Sequence, residues 1–470
     1  MRWYLRVLAI LHRELGQFDL WWSRAVVLTY AVLTGLSIVL FAHTTEWTLS
    51  LFFDMRQAAW WSPLLWTPLS TAVIVWITRR WVPGAAGSGI PQVMAALDSK
   101  VERSQRGLYV SLKLALGKYL LASWGLLAGL SLGREGPSVQ VGAGIMHNAR
   151  HWLPKRNLVS EHGLLVAGGA AGIAAAFNTP LAGVMFAIEE LSRRPEQRNS
   201  GLIIAAIVLA GLMGVSMQGN TSYFGIIRVD EFRADLWWPA LLLAIACGLA
   251  GGLFSRLMIR SLAGVENDRF SRWRRRQPVV FAGACGLLIA LIGVVNQGIT
   301  FGGGYTHSRA MLNGEAGIPV VYALFMFLTT WLTAWSGVPG GIFAPSLAIG
   351  GALGNDIALL TGNAQVPALI ALGMTGFLAA ATQAPLTAFI IVMEMVNGHA
   401  MVLSLMACAL VASGVSRMLS RPLYGALAQV QLLRLPAKQM PQGPRKEAPA
   451  GEPEGDKKME PTRGPGNSHS

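Results

Sequence analysis

Long stretches of this chain carry no charge. From Ala316 to Ser416 the ionisable acids and bases, histidine aside, are Asp356 and Glu394, and charge-free runs also cover Asn199 to Ile227, Trp237 to Ser255 and Gln277 to Ser308. A helix needs roughly 20 apolar residues to cross the hydrocarbon core of a bilayer, so these runs predict a polytopic, all-α membrane protein. Glycine and proline interrupt many of them, and several are too short for a simple span. Such runs predict broken, re-entrant and half-length helices packed inside the protein, where irregular backbone is tolerated at membrane depth. The two ends depart from this pattern. Residues 1–24 mix charged and apolar positions and read as an amphipathic surface helix on the cytoplasmic side, without the uninterrupted apolar core of a signal peptide. Residues 436–470 are rich in Pro, Gly, Lys and Glu and read as a disordered cytoplasmic tail.

The apolar region repeats itself. Gly136-Pro-Ser-Val-Gln-Val-Gly-Ala-Gly144 is matched 208 positions later by Ala344-Pro-Ser-Leu-Ala-Ile-Gly-Gly-Ala352. Ala171-Gly-Ile-Ala-Ala-Ala-Phe-Asn-Thr-Pro-Leu181 is matched, with one residue inserted, by Thr375-Gly-Phe-Leu-Ala-Ala-Ala-Thr-Gln-Ala-Pro-Leu386. Each second segment runs on to an acid, Glu189 or Glu394, and the correspondence suggests a structural role for that pair. Order and offset agree, so the chain divides into a first membrane repeat over 25–227 and a second over 237–435. Repeated halves with breaks in corresponding places, Pro137 with Pro345 and Pro180 with Pro385, are a signature of transporters, whose sites lie where the halves meet.

Composition narrows the function. The chain is 53% hydrophobic and 13% charged, about half the charged fraction of a soluble domain, which excludes a cytosolic enzyme. The net charge of +14 reads as topology, since Lys and Arg collect in cytoplasmic loops, and no soluble basic domain is present that would bind nucleic acid. Basic clusters at Arg2 to Arg24, Lys100 to Arg106, Lys155 and Arg156, Arg193 to Arg198 and Arg269 to Arg276 are placed inside, and the acid-rich segments Glu46 to Asp54 and Asp230 to Asp235 outside. Cys247, Cys285 and Cys408 sit in apolar runs as buried small residues. No histidine stands in a nucleophile or metal motif, so neither a catalytic serine, a metal nor a cofactor is expected.

Three glycine-rich segments, Gly87-Ser-Gly-Ile-Pro91, Gly133-Arg-Glu-Gly-Pro137 and Gly340-Gly-Ile-Phe-Ala-Pro345, each join a tight turn to a proline suited to the first turn of a helix. Helices beginning there would aim unpaired N–H groups and positive dipole ends at the protein interior. Three converging ends form an anion site without a buried full charge, and partial charges let an anion leave again.

Together these segments resemble the CLC family of chloride channels and chloride/proton exchangers. Arg421-Pro-Leu-Tyr424 fits the segment that supplies the family's pore tyrosine, and Phe177-Asn-Thr-Pro-Leu-Ala-Gly183 with Ile188-Glu-Glu-Leu191 is a further match. The motifs stand in family order and span Gly87 to Tyr424. The resemblance implies an inverted repeat of two halves and a homodimer in a bacterial inner membrane, with one anion path per subunit. Ser88 and Tyr424 would donate hydroxyls to a chloride, the backbone amides of Ile342 and Phe343 would complete its shell, and Gly89 and Ile90 would lie at the same helix start. Glu135 would be the outer gate and proton carrier, with Arg134 and Gly136 lining the outer anion site. Glu190 would pass protons on the inner side. Its presence favours exchange over a passive chloride channel. Relatives specialised for fluoride depart from the GSGIP serine and from the pore tyrosine, so Ser88 favours chloride over a fluoride/proton exchanger. Gln92 and Met94 stand where some relatives carry acids, and are expected to be peripheral to transport. Lys113 falls where the family has a buried lysine. Arg134 is a candidate ion-pair partner for Glu135, less favoured than a glutamate plugging the anion path itself.

Overall fold

In the computed structural model, residues 18–154, 159–192, 200–219, 224, 236–264, 268–315, 319–363 and 365–433 are described. Among them lie eighteen α-helices and no strand. Seven helices are long and apolar enough to cross a membrane. The first, α1 (Phe18–Ala58), has 41 residues, about 60 Å of helix, and so exceeds a roughly 30 Å hydrocarbon core. It has no break at 24/25, so the end of the expected surface helix continues into the first span. Residues 1–17, the acidic segment 230–235 and the tail 436–470 lie outside the described residues.

The other helices include the expected shorter elements as well as full-length spans. In the first half they are α2 (Pro63–Trp81), α3 (Ile90–Leu97), α4 (Leu112–Leu127), α5 (Glu135–Asn148), α6 (Glu161–Phe177), α7 (Pro180–Phe186) and α8 (Ser200–Gln218). In the second they are α9 (Trp237–Ala263), α10 (Arg269–Arg276), α11 (Pro278–Val295), α12 (Tyr305–Leu312), α13 (Tyr322–Ser336), α14 (Phe343–Thr361), α15 (Val366–Thr382), α16 (Pro385–Met395), α17 (Val402–Leu419) and α18 (Leu423–Leu433).

The repeated sequences become a repeated trio, α5–α6–α7 and α14–α15–α16. In both, the first two helices cross on facing glycines. A Cβ on Gly142 or Gly168 would strike the other's carbonyl, and the same holds for Gly350 and Gly373, the small-residue contact that lets membrane helices approach closely. In both, the second helix ends on a left-handed residue, Asn178 (φ 59°) or Gln383 (φ 62°). The side-chain amides of these residues donate to Gly219 O at 3.3 Å and Ser420 O at 2.9 Å. Proline then opens the third helix, where its missing N–H costs nothing.

The acids that close the repeats tie the halves together. Glu189 accepts from the amides of Leu386 at 3.1 Å and Thr387 at 2.6 Å, in the first turn of α16. Glu394 accepts from Leu181 at 3.3 Å and Ala182 at 2.8 Å, in the first turn of α7. Each half thus caps the other's helix with a carboxylate, satisfying amides that lack an intrahelical acceptor and complementing the dipole.

Glu394→Ala or Glu189→Ala is expected to lower stability by about 2 kcal/mol, the scale of a charge-assisted hydrogen bond removed from a poorly hydrated site. Thermal unfolding in detergent reads this as a lower midpoint; an unchanged midpoint in both variants would remove the inter-half role of the caps.

Candidate functional site

The three glycine-rich segments meet through their backbones. Gly133 and Gly341 exchange N–H···O bonds of 2.8 Å in both directions, an isolated antiparallel bridge. The Gly87 carbonyl accepts from the Gly340 amide at 3.0 Å and from Lys118 Nζ at 2.6 Å. Helices α3, α5 and α14 start from this knot, as the glycine and proline spacing predicts. Two glycines are required by geometry. Gly89 has φ 106°, open to glycine without strain. Gly136 faces Ser88, and a Cβ there would run into the Ser88 hydroxyl and Gly341 Cα.

Ser88 Oγ and Tyr424 OH are buried and face one another, yet neither closes a hydrogen bond of normal geometry with the protein. A buried hydroxyl left in this way costs about 1–3 kcal/mol, and two of them turned together make this a candidate ligand position. The amides of Ile342 and Phe343 open α14 and have no intrahelical acceptor. The Tyr424 ring is held by stacking on Phe343, with centroids 6.0 Å apart and planes at 9°. Phe343 in turn meets Phe177 and Phe186 at 6.2 and 6.4 Å. Hydroxyl and amide donors around one point suit a partly dehydrated halide, since they replace water's hydrogen bonds without adding a full charge.

Glu135, the first residue of α5, is 1% exposed. Its carboxylate lies against Gly133 and is turned toward its own amide and that of Ala344 in the first turn of α14. It lines a vestibule of about 540 Å³, together with Glu46, Phe53, Arg134, Phe301, Thr306 and His307 among others. The Arg134 guanidinium reaches to α1, donating to Glu46 Oε1 at 2.7 Å and to the Ala42 carbonyl at 3.0 Å.

Glu190 lies in a π-helical turn, Ala187–Ser192, that continues α7. Such turns insert a residue and re-aim side chains, often at functional sites. Here the half-buried Glu189 reaches the amides of α16, while Glu190 is buried, at 7% exposure. Both Glu190 and Glu135 lie within electrostatic reach of the Tyr424 phenol. Ser88, Gly89, Ile90, Glu135, Gly136, Ile342, Phe343 and Tyr424 therefore form one buried neighbourhood, with Glu190 on its flank and Arg134 turned to the vestibule wall.

Three residues of this neighbourhood escape the sequence reading or differ from it. The buried lysine is Lys118, which is fully enclosed, whereas Lys113 is exposed. The phase of α4 carries the signal, because Leu114, Lys118, Leu121, Ala122 and Gly125 share its buried face. Gln92 is integral to the GSGIP turn: its Oε1 accepts from the Gly89 amide at 3.1 Å and its Nε2 donates to the Ala86 carbonyl. Gln140, buried on α5, donates to the carbonyls of Gly84 at 2.9 Å and Tyr109 at 2.7 Å. Those partners are remote in sequence, and no local pattern announces them.

The family model described as "Voltage gated chloride channel" matches residues 70–417. The H(+)/Cl(-) exchange transporter ClcA of Salmonella typhi is 30% identical over 444 residues, covering 89% of this chain and 90% of that protein. ClcA of Citrobacter koseri is 30% identical over 442 residues, covering 88% and 90%. Among solved structures, a slow cyanobacterial Cl-/H+ antiporter superposes with a TM-score of 0.76 at 26% identity, over 88% of this chain and 98% of its own. A CLC-type fluoride/proton antiporter shares the fold, with a TM-score of 0.71 at 21% identity over 86% of this chain and 97% of its own.

Ser88→Ala and Tyr424→Phe are each expected to weaken halide binding about tenfold, the loss of one hydrogen bond to a charged ligand. Isothermal titration of the detergent-solubilised protein with chloride reads this directly; unchanged affinity in both variants would move the anion elsewhere.

Proposed function

The chain belongs to the voltage gated chloride channel family, and from that premise we propose that it is a secondary active transporter exchanging chloride for protons, not an enzyme. The observation that carries the reading is the pair of buried acids, Glu135 and Glu190, flanking the unpaired hydroxyls of Ser88 and Tyr424. A carboxylate buried within a membrane protein is costly and marks function; two of them beside an anion site give protons a route that a simple chloride pore does not need. The curated relatives from Salmonella and Citrobacter carry exchanger names.

In this reading Ser88, Tyr424 and the amides of Ile342 and Phe343 hold the chloride, with Gly89 and Ile90 shaping the same helix start. Glu135 competes for the outer anion position beside the α5 and α14 N-termini, where Arg134 and Gly136 form its rim. Two negative charges about 4 Å apart repel by about 4 kcal/mol at the effective dielectric of a partly buried site, so chloride and the Glu135 carboxylate exclude one another. A chloride arriving from inside displaces the carboxylate toward the vestibule, where it takes a proton. The neutral side chain leaves the outer position free for the anion to depart, and later passes its proton inward to Glu190. Exclusion between anion and carboxylate couples the two flows.

The two halves, 25–227 and 237–435, are read as an inverted repeat, with 1–24 and 436–470 on the cytoplasmic side. The arginines at the ends of α9 and α17 and throughout α10 mark the inner face, and the vestibule opens outside. The protein acts as a homodimer in a bacterial inner membrane, with chloride, protons and membrane lipid as its partners and no nucleic acid. Two half-buried or exposed apolar faces, bearing Leu181 and Ile188 in the first half and Leu386 and Leu403 in the second, supply a surface for the second copy.

Reconstituted vesicles with an inward chloride gradient and a potential clamped by valinomycin test the function: external pH is expected to fall as chloride entry drives protons out, against the proton gradient that this builds. Chloride flux without proton movement would make the protein a channel, and fluoride flux without chloride flux would overturn the substrate. Glu135→Gln, a neutral mimic of the protonated gate, is expected to abolish proton movement and retain chloride flux, and Glu190→Gln to do the same. Full proton coupling in both variants would refute the roles of the two acids.

A further inference from the structure

The vestibule that Glu135 lines also contains a histidine. Of the described residues around this cavity of about 540 Å³, His307 is the one whose ordinary pKa falls between 5 and 8. It is half-buried, and neither ring nitrogen closes a hydrogen bond or an ion pair with a described residue. A neutral imidazole open to a cavity has one nitrogen to give a proton and one to take it.

The ring is held by the same packing that supports Glu135. Helix α12 begins after Gly304, whose φ is 78°. A Cβ on Gly304 would strike Ala348 and the Tyr322 hydroxyl, and one on Gly303 would come within 3.4 Å of the Ala344 Cβ. The Ala344 amide is the one toward which the Glu135 carboxylate is turned, so the segment that leads into α12 touches the anchor of that carboxylate. His307 follows within one turn. Tyr322, fully buried, packs on the imidazole with centroids 5.7 Å apart and planes at 37°.

The other ionisable groups nearby are engaged or turned away. Glu46 and Arg134 pair with one another at 2.7 Å, and Tyr305 stacks on Phe224 with centroids 5.3 Å apart. Arg309, on α12 itself, is exposed. Helices α14 and α15 pack on α12 and contribute Asp356 and no other acid or base; Asp356 stands two turns beyond Ala348.

We propose that His307 is the outer proton-transfer residue for Glu135, taking protons from the external solution and passing them to the carboxylate that chloride has displaced. The inference rests on the exchange reading and adds to it the group that loads the gate. In each transfer an imidazolium N–H bond breaks as the O–H bond of the Glu135 carboxyl forms, across vestibule water, and the neutral ring recovers its proton from outside. The cavity is far larger than the roughly 30 Å³ that one water occupies in the liquid. An imidazole is also present at the site in every cycle, whereas hydronium is scarce at neutral pH.

The test uses the full chain in chloride-loaded vesicles with the potential clamped. Chloride efflux is read under strong buffering, and proton uptake in parallel under weak buffering. His307→Ala is expected to slow both fluxes about tenfold at neutral external pH with their ratio unchanged, less than the roughly 10²–10⁴ of a positioned acid or base because hydronium still reaches Glu135. The deficit is expected to close as external pH falls below the imidazole range. External imidazole at neutral pH is expected to restore efflux in the variant and leave the parent as it was. The deficit is also expected to vanish in a Glu135→Gln background, where chloride moves without protons; that result shows at the same time that the altered chain folds. A deficit that persists in that background, or that neither acid nor imidazole relieves, would make His307 a structural residue and overturn the proposal. A parent that exchanges, with His307→Ala equal to it at every pH, would overturn this inference alone, whereas a parent that moves chloride without protons would refute the exchange reading and this inference with it.

Discussion

The knot of backbone hydrogen bonds among Gly87, Gly133, Gly340 and Gly341 is the constraint on which the site depends. It brings three helix starts from three parts of the chain to one place at membrane depth, where an unpaired amide has no water to turn to. The Gly133–Gly341 bridge joins the two repeats directly, and the Gly340–Gly87 bond adds the third segment. Once these backbones are paired, the first-turn amides of α5 and α14 are left without intrahelical acceptors, and in the proposed reading the donors that a soluble protein would hydrate serve as the anion's coordination shell. The close approach leaves no room for a side chain at Gly136, so the glycines of the motifs are there to permit contact between backbones as much as to turn the chain.

The repeat supplies the rest of the rigidity. The carboxylate of Glu189 closes the start of α16 and that of Glu394 closes the start of α7, so each half completes the other. This exchange also resolves two adjacent acids into different jobs. Glu189 is consumed by the cap, and the π-helical turn that carries it sends Glu190 into the interior. A regular helix would set the two about 100° apart; the repeat pairs Glu189 with Glu394 as structural, and the cap that Glu189 makes is the physical form of that role.

What the sequence made legible were features written in local pattern. Charge-free runs marked the membrane helices, Gly and Pro marked the helix starts at Ile90, Glu135 and Phe343, and internal similarity marked the trio α5–α6–α7 with its counterpart. What it hid were contacts whose partners are far away in the chain. Gln140 reaches Gly84 and Tyr109, Lys118 reaches Gly87, and the amides that Glu189 and Glu394 accept lie about 200 residues from each acid. Lys113 and Lys118 are equally plausible by composition, and the buried face of α4 decides between them. Gln92 is a departure at the level of motif, yet it closes the GSGIP turn through an amide that offers both an acceptor and a donor; an ionised carboxylate could accept from Gly89 but could not donate to Ala86.

The placement of full charges follows one logic. Arg134 stands next to Glu135 in sequence, and its guanidinium is engaged by Glu46 and the Ala42 carbonyl on α1. Lys118 is engaged at the knot, its nitrogen donating to the Gly87 carbonyl. The arginines of α9 and α17 stand at the ends of their helices. In the proposed reading the groups turned on the anion position are hydroxyls and amides, each without a full charge. A guanidinium placed there would hold a halide in low dielectric too strongly to release it, and would fix the Glu135 carboxylate in the path as firmly. In the proposed reading, neutral donors let anion and carboxylate compete for one position, and a single proton on Glu135 decides which of them occupies it.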